Sequence, residues 1–362
     1  MPIISEDRLQ IIINLRKNVF FHDGTSFNSN AIKFTFDRFK RIGTMNYILG
    51  NKIKSIETPS EYSVIINLNK PSSSLNGLLT SVNLTPISPT FYKEYSDKFL
   101  NDKFVGTGKY VLNSFSNEFQ SIDPNLDYWG KKPLNEGINF VGYSNSSSLF
   151  GALKSNQIDV LLSNSIDDSQ RNSLKILSNA NSFKEGNSPF TELSFISLRT
   201  NVYPLNNPNL RLALAKSLNR KLISEKVSYG LRKPTRSIIP PILKKDNQNL
   251  WPKYDYLEAR KLLQKENYCN GNILKIPLTY RSNVPADKLI ALTWQEEIKN
   301  ELNDCIDIEL NGVESTTVYK NLSLGIYTAV ILDWTGAYSD PEAYLTPLLS
   351  CKEIVDGACR KG

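Results

Sequence analysis

Histidine is almost missing from this chain: His22 is the single one in 362 residues. Cysteine is limited to Cys269, Cys305, Cys351 and Cys359, and no two of them form a Cys-x-x-Cys pair. With so few imidazole and thiolate donors, no zinc site is expected. No apolar run approaches the ~18 residues that a membrane helix requires. Dense runs of one charge are lacking too. The net charge is +7, yet the basic residues are spread through every segment, with nothing denser than doublets such as Lys131-Lys132 and Lys244-Lys245. Nucleic-acid binding leaves a clustered basic footprint and a recognisable motif, and neither is here, so no nucleic-acid partner is expected. Gly106-Thr107-Gly108 lacks the Lys-Ser/Thr ending of a phosphate loop. Asp167-Asp168 and Glu296-Glu297 are adjacent pairs whose side chains diverge, which does not suit paired-carboxylate catalysis.

What is present is the material of folded cores. The chain is 40% hydrophobic and 10% aromatic, which excludes global disorder. Its length suits about two or three compact units. Four cysteines allow three pairings. Cys269 follows a helix expected over 257–267 and precedes a strand expected over 273–280. Cys305 follows a helix over 289–302 and precedes a strand over 306–310. If those strands are parallel neighbours, both cysteines lie at one edge. Cys269–Cys305 and Cys351–Cys359 is then the economical pairing, in an oxidising compartment. Four free thiols remain the alternative.

Local patterns place the elements. Ile11, Ile13 and Leu15 alternate with Ile12, Asn14 and Arg16, the period of a strand. Asp23-Gly24 makes a tight turn. Asn28 or Ser29 can cap a helix, in which Ala31, Ile32, Phe34, Thr35, Phe36 and Phe39 recur at helical spacing. Further strands are expected over 62–68, 109–115, 119–123, 138–143, 157–162 and 193–198, with a helix over 146–155. From residue 208 helices and strands alternate, and the almost continuous apolar run 327–333 reads as a sheet centre buried on both faces.

Several stretches resemble one family in wording and in order. They are Asn14 to Phe39, Val105-Gly106-Thr107-Gly108-Lys109-Tyr110, Asn125 to Pro133 with its Asn-Leu-Asp-Tyr-Trp-Gly, Leu153 to Val160, Asn209 to Arg220, and Asp333-Trp334-Thr335-Gly336-Ala337-Tyr338-Ser339-Asp340-Pro341. Together they resemble the family-5 solute-binding proteins of ABC transporters. The resemblance implies an α/β, two-lobed periplasmic-binding-protein-like architecture of type II with an extra small subdomain. It implies a small subdomain of lobe I over 1–104, the returning part of lobe I and the inter-lobe connection over 105–200, and lobe II over 201–362. It implies a non-catalytic receptor that binds an oligopeptide or another small solute between the lobes and presents it to permease subunits, outside the cytoplasm, without a cofactor. Met1 to Gln10 has no basic segment followed by an apolar one, so the secretory signal such a receptor carries is not seen. Set against the family pattern, the architecture is expected to be incomplete, truncated at both ends. A degenerate fragment without a transport role is one alternative, and an α/β hydrolase another.

Candidate ligand residues are chosen by position. Trp334, Thr335, Gly336 and Tyr338 lie at and beyond the carboxyl end of the 327–333 strand, where open α/β sheets take ligands. Indole and phenol supply area, and glycine lets a ligand approach the backbone. Tyr280 and Arg281 end another strand, and Arg281 can hold a ligand carboxylate bidentately. The resemblance puts Ala337 where peptide binders carry an amine-binding aspartate. Asp333 can replace the missing charge, whereas Asp340 suits a turn or cap. His22 beside Asp23 invites an acid–base reading, but no nucleophile motif accompanies it, and a turn role is expected.

Overall fold

Two compact units account for the tertiary contacts of this computed structural model: residues 1–144 with 337–343, and residues 145–336 with 344–362. Residues 2–361 are described, apart from 44–45, 50, 96–97, 99, 101, 163–164, 244–250, 323, 351–352 and 356–357.

The first unit begins with a sheet built from β1 (Ile3–Ile4), β2 (Gln10–Asn14), β3 (Ile53–Ser60) and β4 (Ser63–Leu68), antiparallel throughout in the order β1-β2-β4-β3. Alternation decides its faces: Val64, Ile66 and Leu68 are buried, as is Ile11 on β2. Helix α1 (Ser29–Ile42) covers them with Ala31, Thr35 and Phe36. Asn28 caps it by accepting from the Asn30 and Ala31 N–H groups, and Lys40 and Arg41 complement its C-terminal end. The turn before it needs a glycine, since Gly24 sits at φ +80. Short helices α2 (Leu75–Leu79) and α3 (Pro89–Tyr92) follow, then an antiparallel meander of β5 (Tyr110–Phe115), β6 (Phe119–Pro124) and β7 (Ile138–Val141). Strand β3 has no counterpart in the periodicity. It is an edge strand, mostly exposed, containing Pro59 and two register shifts, so no hydrophobic alternation marks it.

The second unit starts with α4 (Ser146–Lys154), α5 (Asp168–Asn179) and β8 (Glu192–Leu198). Next come α6 (Pro208–Ser217), α7 (Arg220–Ser228), α8 (Tyr256–Lys265), β9 (Leu274–Arg281), α9 (Pro285–Glu301) and β10 (Ile306–Val313). It closes with α10 (Ser315–Leu322), β11 (Ala329–Thr335), α11 (Glu342–Leu349, whose first two residues belong to the first unit) and the hairpin β12 (Glu353–Val355) with β13 (Ala358–Lys361). The main sheet runs β10-β9-β11-β8. The first three strands are parallel, and β8 is antiparallel to β11. Ala329 and Ile331 of β11 enter the large core with Ile276, Leu278, Trp294 and Ile308, while Val330 and Leu332 meet Val318 of α10 on the opposite face. Burial on both faces explains the continuous apolar run.

The strand expected over 157–162 does not form. Val160 and Leu162 stand exposed, and no described strand pairs with them, so the segment has no ladder to join. Helix α5 had no apolar stripe to betray it; its start is specified by a capping box between Asp167 and Gln170.

Cys269 and Cys305 are both buried and joined by a disulfide, S–S 2.12 Å, beside the parallel pair β9 and β10. The pairing of Cys351 with Cys359 lies outside the described residues. Replacing Cys269 and Cys305 together by alanine should lower unfolding stability by about 3–4 kcal/mol, the loop-closure value for a separation of 36 residues. Urea denaturation of the oxidised protein against the double variant checks this.

Candidate solute-binding site

Parallel strands bring their carboxyl ends to a common edge, and in the second unit that edge carries Arg281 from β9, Val313 from β10 and Asp333-Trp334-Thr335 from β11. Strand β8 runs the other way and contributes its first residues. Ser194 pairs with Asp333, Leu193 with Trp334 and Glu192 with Thr335. Trp334 is half-buried, Thr335 exposed and Gly336 half-buried. Apolar area, a hydroxyl and an approachable backbone therefore meet at one strand end.

The expectation that Arg281 offers a bidentate fork to a ligand carboxylate is not met. That fork is occupied: its Nε donates to Asp287 Oδ2 at 2.7 Å and its Nη2 to Asp287 Oδ1 at 3.0 Å. Nη2 also donates to Asp333 Oδ2 at 2.8 Å, and Nη1 to the Tyr319 hydroxyl at 2.7 Å. The reason is burial. The Arg281 and Asp287 side chains are 5% and 4% exposed, and a guanidinium so withdrawn requires its charge and its N–H groups to be met. Burial works against that charge, but hydrogen bonds and charges of Asp287 and Asp333 outweigh it and hold the guanidinium's pKa above the ordinary arginine value. Asp287 lies in the first turn of α9, behind Pro285, where the helix dipole favours an acid. A proline followed by an acid reads as a helix start, but nothing in the sequence points that acid at Arg281, or Tyr319 at its Nη1.

Tyr280 is also committed. It pairs with Gly312 across the β9–β10 ladder, and its ring lies so close that a Cβ on Gly312 would fall 2.8 Å from it. Tyr280 thus covers sheet backbone and packs on the large core. Tyr338 belongs to the first unit, where it is buried against Gly77 of α2, 3.3 Å from the position of an added Cβ. Ala337 belongs to the same short segment. Asp340 accepts from the Glu342 N–H at 2.9 Å, opening α11. Glu342 anchors that segment within the first unit, with Lys52 Nζ at 2.6 Å from Oε1 and the buried Ser74 hydroxyl donating to Oε2.

His22 and its neighbours form a turn rather than a reactive group. Its Nε2 is 3.1 Å from the Gly108 carbonyl, and the Ser88 hydroxyl donates to Asp23 instead of facing the imidazole. Trp129 donates to the Thr107 carbonyl and stacks under Arg16, 3.9 Å from guanidinium carbon to ring centroid, tying the Asn125–Gly130 turn to the glycine turn. Among the described residues, no group of three or more His, Cys, Asp or Glu is placed to hold a metal, and no helix is long and apolar enough to cross a membrane.

This α/β architecture is that of known periplasmic binding proteins. Over 97% of its length the chain matches the dipeptide-binding protein of Pseudoalteromonas sp. SM9913 in complex with Met-Leu, with a TM-score of 0.82 at 22% identity, covering 73% of that chain. NikZ of Campylobacter jejuni in complex with Ni(L-His) matches with the same TM-score, 0.82, at 20% identity and 73% of its length. The model of bacterial extracellular solute-binding proteins, family 5 middle, matches residues 3–356, and the chain belongs to this family. Among curated relatives, the glutathione-binding protein GsiB of Escherichia coli is 26% identical over 298 residues, 81% of this chain. The probable D,D-dipeptide-binding periplasmic protein DdpA of Escherichia coli K12 is 24% identical over 352 residues, 94% of this chain. The chain spans 57% of the length of the first and 65% of the second.

Two outcomes test this geometry. Asp287→Ala leaves the Arg281 charge buried without its main partner and should cost about 3–5 kcal/mol in urea denaturation. For Glu342, burial raises the carboxyl pKa, but the Lys52 and Ser74 hydrogen bonds outweigh it and lower it below the ordinary 4.5. A depressed carboxyl pKa contributes stability that is present above the unfolded value and lost as pH falls through the folded one. Melting temperatures of Glu342→Gln should therefore converge on those of the parent as pH drops below 4.5; a constant gap across pH would remove the ion pair from the account.

Proposed function

We propose that this chain is the ligand-binding portion of a non-catalytic receptor for an ABC importer. It takes up a short peptide or a related small solute outside the cytoplasm and delivers it to membrane permease subunits. The observation that carries the reading is the family match across residues 3–356, joined to an aromatic strand end, Trp334-Thr335, at the carboxyl edge of the second unit's sheet. Ligands of open α/β sheets bind outside such edges. The relatives support peptides: a glutathione-binding protein, a probable D,D-dipeptide-binding protein and a dipeptide binder carrying Met-Leu. Nickel is not favoured, because the single histidine is engaged in the His22 turn of the first unit. The hydrolase alternative has no support in the surroundings of His22, since the nearby Ser88 hydroxyl serves Asp23.

The test is a thermal melt of the 362-residue chain with pooled di- to hexapeptides, glutathione included. Ligand at a hundredfold excess over its Kd stabilises the state that binds it by about 2.7 kcal/mol, so the melting temperature should rise by several degrees. Trp334→Ala should abolish the rise while leaving the unliganded melt in place. A melt that ignores every peptide tested would sink the peptide reading.

A further inference from the structure

We propose that Asn270 is a site of covalent self-modification. The main-chain nitrogen of Gly271 closes on its side-chain amide, and water then leaves aspartate and isoaspartate in its place. The proposal is independent of which solute the chain binds.

The fold selects this site from three of equal local chemistry. Asparagine precedes glycine at Asn76-Gly77, Asn270-Gly271 and Asn311-Gly312. In each pair the glycine presents its nitrogen without a side chain in the way. Ring closure also requires the asparagine to rotate about its Cα–C bond, away from the geometry of both helix and strand. Asn76-Gly77 lies in α2, with Gly77 packed against the Tyr338 ring. Asn311-Gly312 lies in β10, laddered to Thr279 and Tyr280, with the Tyr280 ring against Gly312. Asn270-Gly271 lies between α8 and β9, in neither helix nor strand, and both residues are exposed. Neither the Asn270 side chain nor the Gly271 N–H has a hydrogen-bond partner among the described residues. A Cβ on Gly271 would meet nothing within 4 Å, and its φ of +87 shows a backbone free to take up the compensating rotation. The flanks, by contrast, are held. Cys269 is joined to Cys305 and donates its N–H to the Asn272 carbonyl at 2.9 Å, and the Asn272 side-chain amide donates to the Asn267 carbonyl at 2.9 Å. The reacting pair is the part of the loop that no bond holds.

The chemistry needs water alone. The Gly271 nitrogen forms a bond to Asn270 Cγ and loses its proton, and ammonia leaves, giving a five-membered succinimide. Water then opens the ring at one of its two carbonyls. Cleavage of the bond between Cγ and nitrogen restores the ordinary main chain as aspartate. Cleavage at the main-chain carbonyl leaves the chain running through Cγ, as isoaspartate. Nothing is oxidised or reduced. Either product adds one negative charge to a chain of net charge +7. Isoaspartate also inserts a methylene into the main chain between Cys269 and Leu274, the first residue of β9, inside the span that the Cys269–Asn272 bond closes.

The experiment incubates the 362-residue chain in heavy-oxygen water near physiological pH and temperature, folded in one sample and unfolded by guanidinium chloride in the other. Reduction, alkylation, proteolysis and peptide sequencing by mass spectrometry then read each asparagine, and the label restricts the count to conversion during the incubation. In the folded chain Asn270 should convert at least about tenfold faster than Asn76 and Asn311, the ratio that about 1.4 kcal/mol of local opening at those two would set. Isoaspartate should be among the products, since direct hydrolysis of the side chain gives aspartate alone. In the unfolded sample the three rates should come together. The comparison needs no variant. Equal rates in the folded chain, a ratio that persists in the unfolded one, aspartate without isoaspartate, or an Asn270 still intact once the unfolded sample has converted would each overturn the proposal.

Discussion

A guanidinium removed from water must have its charge and its N–H groups met, and the carboxyl edge of the second unit is arranged around that requirement. Arg281 closes β9; Asp287 comes from the first turn of α9, Tyr319 from α10 and Asp333 from the end of β11. Four elements are thus tied by one buried side chain. The bonds cost desolvation, so their value is specificity of placement more than net stability. They determine which acid is left facing outward, and hence what chemistry the edge can offer.

The first unit meets a comparable requirement at smaller scale. The segment 337–343 belongs to it although the flanking residues belong to the second unit. Glu342 is half-buried there and would be unstable uncompensated, so Lys52 and Ser74 meet it. Tyr338 fills the space over Gly77, a position that tolerates no larger residue without displacing the ring. The aromatics at the end of β11 and just beyond it are therefore divided. Trp334 stays with the second unit's sheet edge, and Tyr338 serves the packing of the first.

Much of the scaffold was legible because it is local. The β2 alternation, the Asn28-capped α1 and the apolar run of β11 all express backbone geometry over a few residues. The misses share a cause as well. β3 is an exposed edge with a proline and shifted register, and α5 is polar on most faces, so neither carries a period. Residues 157–162 carry the right residues for a strand, but a strand exists only with a partner to bond.

The sequence by itself determined the helix–strand alternation from residue 208, the α/β class, the turn at Gly24 and the family, since these depend on neighbours along the chain and on motif order. Tertiary structure alone decided that Arg281 is inward-facing and satisfied, that Asp333 meets it from β11, that Glu342 meets Ser74, and that Tyr338 is core. Those outcomes join residues 52 positions apart for Arg281 and Asp333, and 268 apart for Ser74 and Glu342. With 36 acids and 43 basic residues in the chain, many pairings of similar chemistry compete. Only the packing of sheet and helices selects the ones that meet.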